Sequence, residues 1–204
     1  MPEYAFYINS SACSGCKTCQ VACKDKNDLP TGVNWRRVYE IEGGGWKEEN
    51  GVFVSQPYGY FLSLSCQNCE NPECVKACPT TAMHVNASGI VAVDSELCIG
   101  CRYCSWACPY GAPQYDQAKK VMTKCNLCED YLSIGTKPSC VMSCPMRALD
   151  FGTWEEITSK YGTGENVFPL PDPSQYKPGI VIKPHRNSAM TRNDKAYIAE
   201  NEYK

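Results

Sequence analysis

The sequence predicts an α+β fold in which short strands and one-turn helices are arranged around four groups of cysteines. Sixteen cysteines occur in 204 residues, and all of them lie between residues 13 and 144. Short β-rich segments separate the groups, and a proline-rich stretch without cysteine follows them. Apolar residues make up 43% of the chain, and about 35% remain once the cysteines are left out. We therefore expect bound metal to replace part of an ordinary core, with folding coupled to metal insertion.

The third group has the most regular spacing. It runs Cys98-x2-Cys101-x2-Cys104-x3-Cys108 and is followed by a proline. This spacing is a bacterial iron–sulfur signature, in which three cysteines of a tight loop bind one [4Fe-4S] cluster and the fourth binds the other cluster of a pair. Cys104 and Cys108 lie one helical turn apart, so they place two clusters side by side. The pattern predicts ferredoxin-like units that each hold two clusters.

The other three groups are variants of this pattern. The first spans residues 13–23 and is followed by Lys24 in place of proline. The second spans residues 66–78 and has two extra residues between its second and third cysteines. The fourth spans residues 125–144 and has eleven residues between the same two cysteines. An insertion there preserves the geometry if the third cysteine returns to the loop, so we expect all four groups to bind clusters.

The rule that the fourth cysteine joins the other cluster combines group two with group three, and group one with group four. The predicted ligand sets, called sites 1 to 4 below, are Cys13, Cys16, Cys19 and Cys144 (site 1); Cys125, Cys128, Cys140 and Cys23 (site 2); Cys66, Cys69, Cys74 and Cys108 (site 3); and Cys98, Cys101, Cys104 and Cys78 (site 4). The sequence thus predicts four [4Fe-4S] clusters, and no catalytic residue stands out.

This pairing divides the chain into predicted regions. Residues 1–30 with 115–152 are expected to form one ferredoxin-like two-cluster unit, and residues 66–114 the other. Residues 31–65 are expected to form a β-rich insertion, and residues 153–204 an extended, partner-binding tail. Alternation and turn residues predict strands at 4–8, 37–41, 58–64, 82–85, 90–93 and 147–151, and a helix at 154–160.

Two further expectations concern apolar residues. Gly179-Ile-Val-Ile182 lies in a tail punctuated by five prolines and is expected to lie along a partner. Trp106 lies between cluster cysteines and is expected to be apolar cover that limits the access of solvent to a cluster. Both side-chain arrangements remain expectations until the fold is known.

Composition and charge limit the classes of function. The net charge is −2 with acidic and basic residues interspersed, so no nucleic-acid partner is expected. No apolar stretch approaches 18 residues, so no direct membrane span is predicted. A zinc-stabilised interaction module is the alternative from another class, although zinc sites usually combine two distant Cys-x2-Cys pairs. A disulfide framework would be expected with a signal peptide, and an iron–sulfur sensor with an effector domain; neither feature is evident.

Four segments outside the regular cysteine spacing carry a resemblance to a known family. They are Trp35-Arg-Arg-Val-Tyr39, Cys98-Ile-Gly-Cys-Arg-Tyr-Cys104, Pro109-Tyr-Gly-Ala-Pro-Gln-Tyr115 and Ile180-Val-Ile-Lys-Pro184. Together with the order of the cysteine groups, they closely resemble the iron–sulfur (beta) subunits of dimethyl sulfoxide reductases, almost from end to end. The cysteine pattern alone resembles a wider group, which includes similar subunits of formate dehydrogenases and of nitrate, polysulfide and tetrathionate reductases.

The resemblance implies a non-catalytic electron-transfer subunit of an anaerobic respiratory complex. Such a subunit carries electrons between a membrane anchor subunit that oxidises menaquinol and a large catalytic subunit that contains molybdopterin. Site 1 would face the catalytic subunit and site 4 the membrane. The chain would then lie peripherally on the cytoplasmic membrane through its partners, on the outer face or alternatively on the cytoplasmic face. The same role in a related reductase or in a formate dehydrogenase is the alternative function.

Overall fold

The computed structural model describes residues 3–189 and 196–199 and has a mixed α and β architecture. In chain order its elements are β1 (Tyr4–Asn9), α1 (Thr18–Lys26), β2 (Arg37–Gly43), β3 (Trp46–Glu49), β4 (Val52–Ser55), β5 (Tyr58–Leu64), α2 (Glu73–Lys76), β6 (Met83–Val85), β7 (Val91–Val93), α3 (Tyr103–Ala107), β8 (Gln114–Asp116), β9 (Val121–Thr123), α4 (Glu129–Leu132), α5 (Ser139–Met142), β10 (Leu149–Thr153), α6 (Trp154–Tyr161), β11 (Ile180–Lys183) and β12 (Tyr197–Ile198). The six predicted strands and the predicted helix are present, with ends shifted by at most two residues. Among the described residues, no helix is long and apolar enough to cross a membrane.

The central strand of the first sheet separates two apolar cores. Strand β1 pairs antiparallel with β10 and parallel with β11. Phe6 and Ile8 face the main core, whereas Ala5 and Tyr7 pack toward α6. Because successive side chains of a strand point to opposite faces, one six-residue strand can supply both cores.

The C-terminal region folds back on the rest of the protein. Helix α6 packs on the first sheet through Ile157, and β11 extends that sheet. Val181 and Ile182 are 0% and 2% exposed. The expectation that this segment lies along a partner is therefore wrong, because the protein's own sheet and cores bury these apolar side chains. Of the predicted tail, residues 190–195 and 200–204 lie outside the described residues.

The predicted β-rich insertion contains two different β structures. Strands β2 and β5 pair antiparallel along their whole length, and β12 pairs with the other edge of β2. Ile41 and Leu62 of this second sheet are fully buried in the main core. Strands β3 and β4 instead form a hairpin whose side chains are all exposed. The insertion therefore contributes one sheet to the core and one hairpin to the surface.

One short hairpin lies between the second and third cysteine groups, and another follows the third group. Hairpin β6–β7 was predicted, whereas β8–β9 was not. Met122 of β9 packs with Met83, Val91 and two cysteines, Cys74 and Cys104, in a separate small core. The predicted boundary at residue 114 therefore assigns β8–β9 to the wrong neighbours, since its buried side chain joins the region of groups two and three.

Candidate metal centres

The same local turn recurs in all four cysteine groups. The residue before the second cysteine has a left-handed backbone, and these residues are Gly15, Asn68, Gly100 and Leu127, with φ angles of 71°, 44°, 67° and 58°. Left-handed residues beside right-handed ones turn backbone N–H groups toward a common concavity that favours anions. The four loops therefore share one backbone feature that is common in anion-binding loops.

Groups one and three require glycine for space as well as for conformation. A Cβ atom on Gly15 would lie 2.5 Å from the ring of Phe61. A Cβ atom on Gly100 would lie 2.5 Å from the carbonyl oxygen of Lys120. Both distances are far shorter than ordinary van der Waals contact. Neighbouring segments thus pack directly against these two cysteine loops and fix their position.

The predicted ligands of sites 1 and 4 are each gathered around one cavity. One cavity is lined by Cys13, Cys16, Cys19 and Cys144, and the other by Cys78, Cys98, Cys101 and Cys104. In both sets, three cysteines come from one group and the fourth comes from a different group. The backbone N–H groups of Ala148 and Met83 each donate to the sulfur of that fourth cysteine over 3.3 Å. The structure brings these eight side chains together, and their binding of clusters stays a prediction.

The predicted ligands of site 2 are all buried and lie near one another. Burial raises the pKa of the Cys23 thiol, and the negative charges of Cys125, Cys140 and Cys128 raise it further. Each of these four side chains is at most 6% exposed. Because metal ligation requires the thiolate, binding has to displace protons that this environment otherwise retains.

Site 3 shows the same mutual influence. Burial raises the pKa of Cys69, with further contributions from the charges of Cys66, Cys108 and Cys74. Burial and the charges of Cys66 and Cys108 raise the pKa of Cys74 to about 12. The four predicted ligands of site 3 therefore lie in one neighbourhood, although they come from groups two and three.

The four predicted sites follow one another in a row. Sites 1 and 2 share two helical turns, each with one cysteine of either site: Cys19 and Cys23 at α1, and Cys140 and Cys144 at α5. Sites 3 and 4 share two turns in the same way: Cys74 and Cys78 at α2, and Cys104 and Cys108 at α3. Sites 2 and 3 meet at Cys125 and Cys66. Burial and the charge of Cys66 raise the pKa of Cys125 to about 11. The order along the row is therefore 1, 2, 3, 4.

The two ends of the row differ from site 2 in exposure. Cys16 of site 1 is exposed, and three of the four cysteines of site 4 are partly exposed. Hydrogen bonds from the hydroxyl and backbone N–H of Thr18 lower the pKa of Cys16. For Cys78, burial would raise the pKa, but hydrogen bonds from the Met83 and Thr80 backbone and the Thr80 side chain lower it overall. One thiolate at each end therefore forms more readily than usual, whereas burial raises the pKa of Cys13 at site 1 and of Cys104 at site 4.

Two buried cations lie between the sites. Arg36 is 1% exposed and Lys124 is 4% exposed. Within the part of the sequence that the structure describes, no Asp or Glu side chain forms an ion pair with either of them. Burial raises the pKa of the surrounding thiols, and the two cations partly oppose this rise. Arg36 does so at Cys23 and Cys140. Lys124 does so at Cys74 and Cys125. The sequence analysis missed both residues, because a single basic residue in a strand or loop gives no signal of burial.

These surroundings fit an anionic iron–sulfur cluster. The Nε atom of Arg36 is buried and has no hydrogen-bond acceptor among residues 3–189 and 196–199. A buried cation without a counter-charge is strongly destabilising, so this position requires a nearby anion. A [4Fe-4S] cluster ligated by four thiolates carries negative charge and supplies one. Among the same residues, no three His, Cys, Asp or Glu side chains are close enough together to hold a single metal ion.

Exposed apolar side chains lie on the helices and loops that carry cysteines of both end sites. We call them the site 4 patch (Ile99, Tyr103 and Trp106) and the site 1 patch (Val21, Met142 and Met146). Trp106 is 77% exposed, so the expectation that it covers a cluster is wrong. Helix α3 directs Cys104 inward, and a residue two positions later lies on the opposite side of a helix. The tryptophan therefore faces outward beside site 4.

Comparison with known proteins gives matches over nearly the whole sequence. Residues 57–154, which include groups two to four, match a family model described as a 4Fe-4S dicluster domain. The B subunit of anaerobic dimethyl sulfoxide reductase from Escherichia coli is 53% identical over 197 residues, which cover 97% of this protein and 96% of the relative. The protein of the same name from Haemophilus influenzae is 47% identical and covers 97% of each sequence. The B subunit of polysulfide reductase from Wolinella succinogenes is 36% identical over 92% of this protein and 97% of its own length. The protein described here thus belongs to the family of iron–sulfur B subunits of anaerobic dimethyl sulfoxide reductases.

Proposed function

We propose that this protein is a non-catalytic electron-transfer subunit that holds four [4Fe-4S] clusters in sites 1 to 4. The observation that carries the proposal is the row of four-cysteine sites, which runs from one exposed apolar patch to the other. When bound, such clusters supply one-electron exchange. The protein's own residues hold the thiolates, exclude water from the middle of the row and leave both ends accessible. Membership of the family of B subunits supports this role.

The sixteen ligands form two ferredoxin-like units in this proposal. One unit comprises residues 1–30 with 124–152 and holds sites 1 and 2. The other comprises residues 66–123 and holds sites 3 and 4. The boundary is placed after β9 because Met122 packs in the small core with Cys74 and Cys104. Each unit takes its fourth ligands from its own two groups, so each site of a pair needs one cysteine from the group that supplies most ligands of the other site.

The two patches suit two different partner subunits. The site 1 patch is proposed to face a catalytic subunit that contains molybdopterin, and the site 4 patch a membrane anchor subunit that oxidises menaquinol. Exposed apolar surface gathered beside a functional site is typical of a protein contact. Through these partners the protein would lie peripherally at the cytoplasmic membrane, on its outer face, as part of an anaerobic respiratory dimethyl sulfoxide reductase. The lower identity to the polysulfide reductase subunit, 36% against 53%, favours this substrate over polysulfide.

The direct test is anaerobic purification of the protein with whatever accompanies it, followed by metal, sulfide and mass-spectrometric analysis. We expect four irons and four acid-labile sulfides for each of four clusters. We also expect a large partner with molybdopterin and a hydrophobic anchor subunit. Zinc without sulfide and no large partner would instead identify a zinc-stabilised interaction module and would contradict the proposal.

A second experiment tests the location. Sealed membrane vesicles of known orientation are treated with a membrane-impermeant reductant, and the reduction of the clusters is followed by electron paramagnetic resonance. We expect rapid reduction in right-side-out vesicles and slow reduction in inverted ones. The reverse result would place the protein on the cytoplasmic face.

A further inference from the structure

Two adjacent buried arginines reach toward different sites. Arg36 donates from Nη1 and Nη2 to serines at the end of β5, whereas Arg37 donates from Nη2 to the carbonyl oxygens of Tyr110 and Gly111, over 3.1 and 2.8 Å. These hydrogen bonds show that the two neighbouring side chains extend toward different parts of the protein. One dipeptide therefore places one cation beside sites 1 and 2 and another beside site 3.

The oxygen atoms that accept hydrogen bonds from Arg36 are all neutral. Nη1 donates to the carbonyl and hydroxyl oxygens of Ser63 over 3.2 and 3.1 Å, and Nη2 donates to the Ser65 hydroxyl over 2.9 Å. The guanidinium also lies 4.5 Å from the centre of the Phe6 ring. None of these groups carries a negative charge, so the neutral contacts position the cation without compensating it.

Burial would lower the pKa of Arg36, but the negative charges of cysteine thiolates of two sites raise it. These thiolates are Cys19 of site 1 and Cys23, Cys125 and Cys140 of site 2. A hydrogen-bonded path also leads to site 1, because Ser63 Oγ lies 3.3 Å from Cys19 Sγ. Since the Ser63 oxygen accepts from Arg36, its own hydrogen is available for donation to that sulfur. Burial raises the pKa of Cys140, whereas the charge of Arg36 and a hydrogen bond from it lower that pKa. Arg36 thus acts on site 2 through its charge and this hydrogen bond, and on site 1 through its charge and Ser63.

We propose that Arg36 is a positioning residue for electron transfer that raises the reduction potentials of the clusters at sites 1 and 2. Uptake of one electron adds one negative charge to a cluster, and a nearby buried cation stabilises that charge more than solvent does. Hydrogen bonds to the ligand sulfurs act in the same direction. The inference rests on the proposed function, because it requires clusters at these two sites.

The test is a redox titration of the anaerobically purified complex with dithionite, followed by electron paramagnetic resonance. Signals are first assigned to sites with one cysteine variant per site. In Arg36→Met, we expect the equilibrium constant for one-electron reduction to fall roughly tenfold at sites 1 and 2, which is 59 mV for a one-electron couple. Potentials at sites 3 and 4 should change less. Arg36→Lys keeps the charge and should retain most of the potential.

Arg37→Met is the matched control, because it removes a neighbouring buried arginine from the same segment. Its charge lowers the pKa of Cys108 against the effect of burial, so its loss should shift site 3 and leave sites 1 and 2 nearly unchanged. Ser63→Ala is a milder variant that should lower the potential of site 1 alone. If the Arg36→Met complex fails to assemble, Ser63→Ala is used for the test in its place.

The outcomes separate this inference from the function on which it rests. A wild-type complex without four clusters would contradict the proposed function. A complete set of clusters with unchanged potentials in Arg36→Met would overturn the role of Arg36 and leave the function intact. If that variant does not assemble, an unchanged site 1 potential in Ser63→Ala overturns it when Arg37→Met shifts site 3, because Ser63→Ala removes the hydrogen bonds on the path to Cys19.

Discussion

The ends of the row and site 2 place the same kind of ligand in opposite surroundings. At the ends, Cys16 is exposed and the pKa values of Cys16 and Cys78 are lowered by hydrogen bonds. In the middle, all four cysteines of site 2 are buried, and Arg36 and Lys124 supply positive charge. The comparison shows that cysteines of the two parts of the row differ both in exposure and in the polar and charged groups around them.

The largest expected effect is the difference between a variant that loses a ligand in the middle of the row and a variant that loses a ligand at one end. Cys140→Ser takes away a fully buried thiolate beside Arg36 and leaves that cation less compensated. We expect the protein to accumulate several-fold less in this variant, with loss of more than one cluster. Cys16→Ser should leave the fold intact and affect site 1 alone. Yield and iron content of both variants measure the difference, and equal losses would contradict it.

A smaller effect is expected from the shape of an end loop. Gly100→Ala imposes both a left-handed alanine and a Cβ atom that is too close to Lys120, at a cost of about 3 kcal/mol. Gly135→Ala is the matched control, since Gly135 has a φ of 73° and no atom within 4 Å of the added Cβ. Its expected cost is about 1 kcal/mol. Apparent melting temperatures of the complexes should fall by roughly 9 °C and 3 °C. Similar losses in both variants would show that the close approach at Gly100 is unimportant.

The ion pairs of Asp150 provide a contrast with Arg36. Burial alone would raise the pKa of Asp150, but hydrogen bonds from Lys137, Lys160 and Tyr161 hold it well below its usual range. A carboxyl group with a lowered pKa stabilises the folded state above its unfolded pKa, and this contribution is lost as the pH falls through the folded pKa. After allowance for solvent screening, Asp150→Asn should cost about 1 kcal/mol at neutral pH.

The pH dependence of that variant supplies the check. Melting temperatures of the wild type and Asp150→Asn should differ by roughly 3 °C, and the difference should be constant from pH 8 to about pH 5. It should narrow only in more acidic solution, where the wild-type carboxylate becomes protonated. A decrease in this melting-temperature difference between pH 8 and pH 6 would contradict the assigned direction of the pKa shift of Asp150.

The smallest effect on the protein itself is expected at the site 4 patch. Trp106→Ser replaces a side chain that is 77% exposed, so stability should change by less than about 0.5 kcal/mol. The fraction of the complex released from membranes should nevertheless rise, because the patch is proposed to contact the anchor subunit. Trp46→Ser, at a position 71% exposed on the β3–β4 hairpin, is the control and should not increase release. Equal release in both variants would show that the site 4 patch does not contribute to membrane attachment.

The cysteine groups and most strands could be predicted because spacing and alternation are local properties. Other features depend on contacts between distant parts of the sequence. The left-handed positions Asn68 and Leu127 are not glycines, so the sequence does not indicate their conformation. The parallel pairing of β11 with β1 joins segments more than 170 residues apart. The one-turn helix α3 is too short for periodicity to show which way Trp106 points. Nothing local distinguishes the neighbours Arg36 and Arg37, which serve different sites.

The most direct test of the whole scheme is a cryo-electron-microscopy map of the anaerobically purified complex. The central claim is that the sites form one row whose fourth ligands cross between groups. We predict density for four clusters in the order 1, 2, 3, 4, with Cys144 bound to the cluster held by Cys13, Cys16 and Cys19. Density that joins Cys144 to the cluster of Cys125, Cys128 and Cys140, or fewer than four clusters, would contradict this claim.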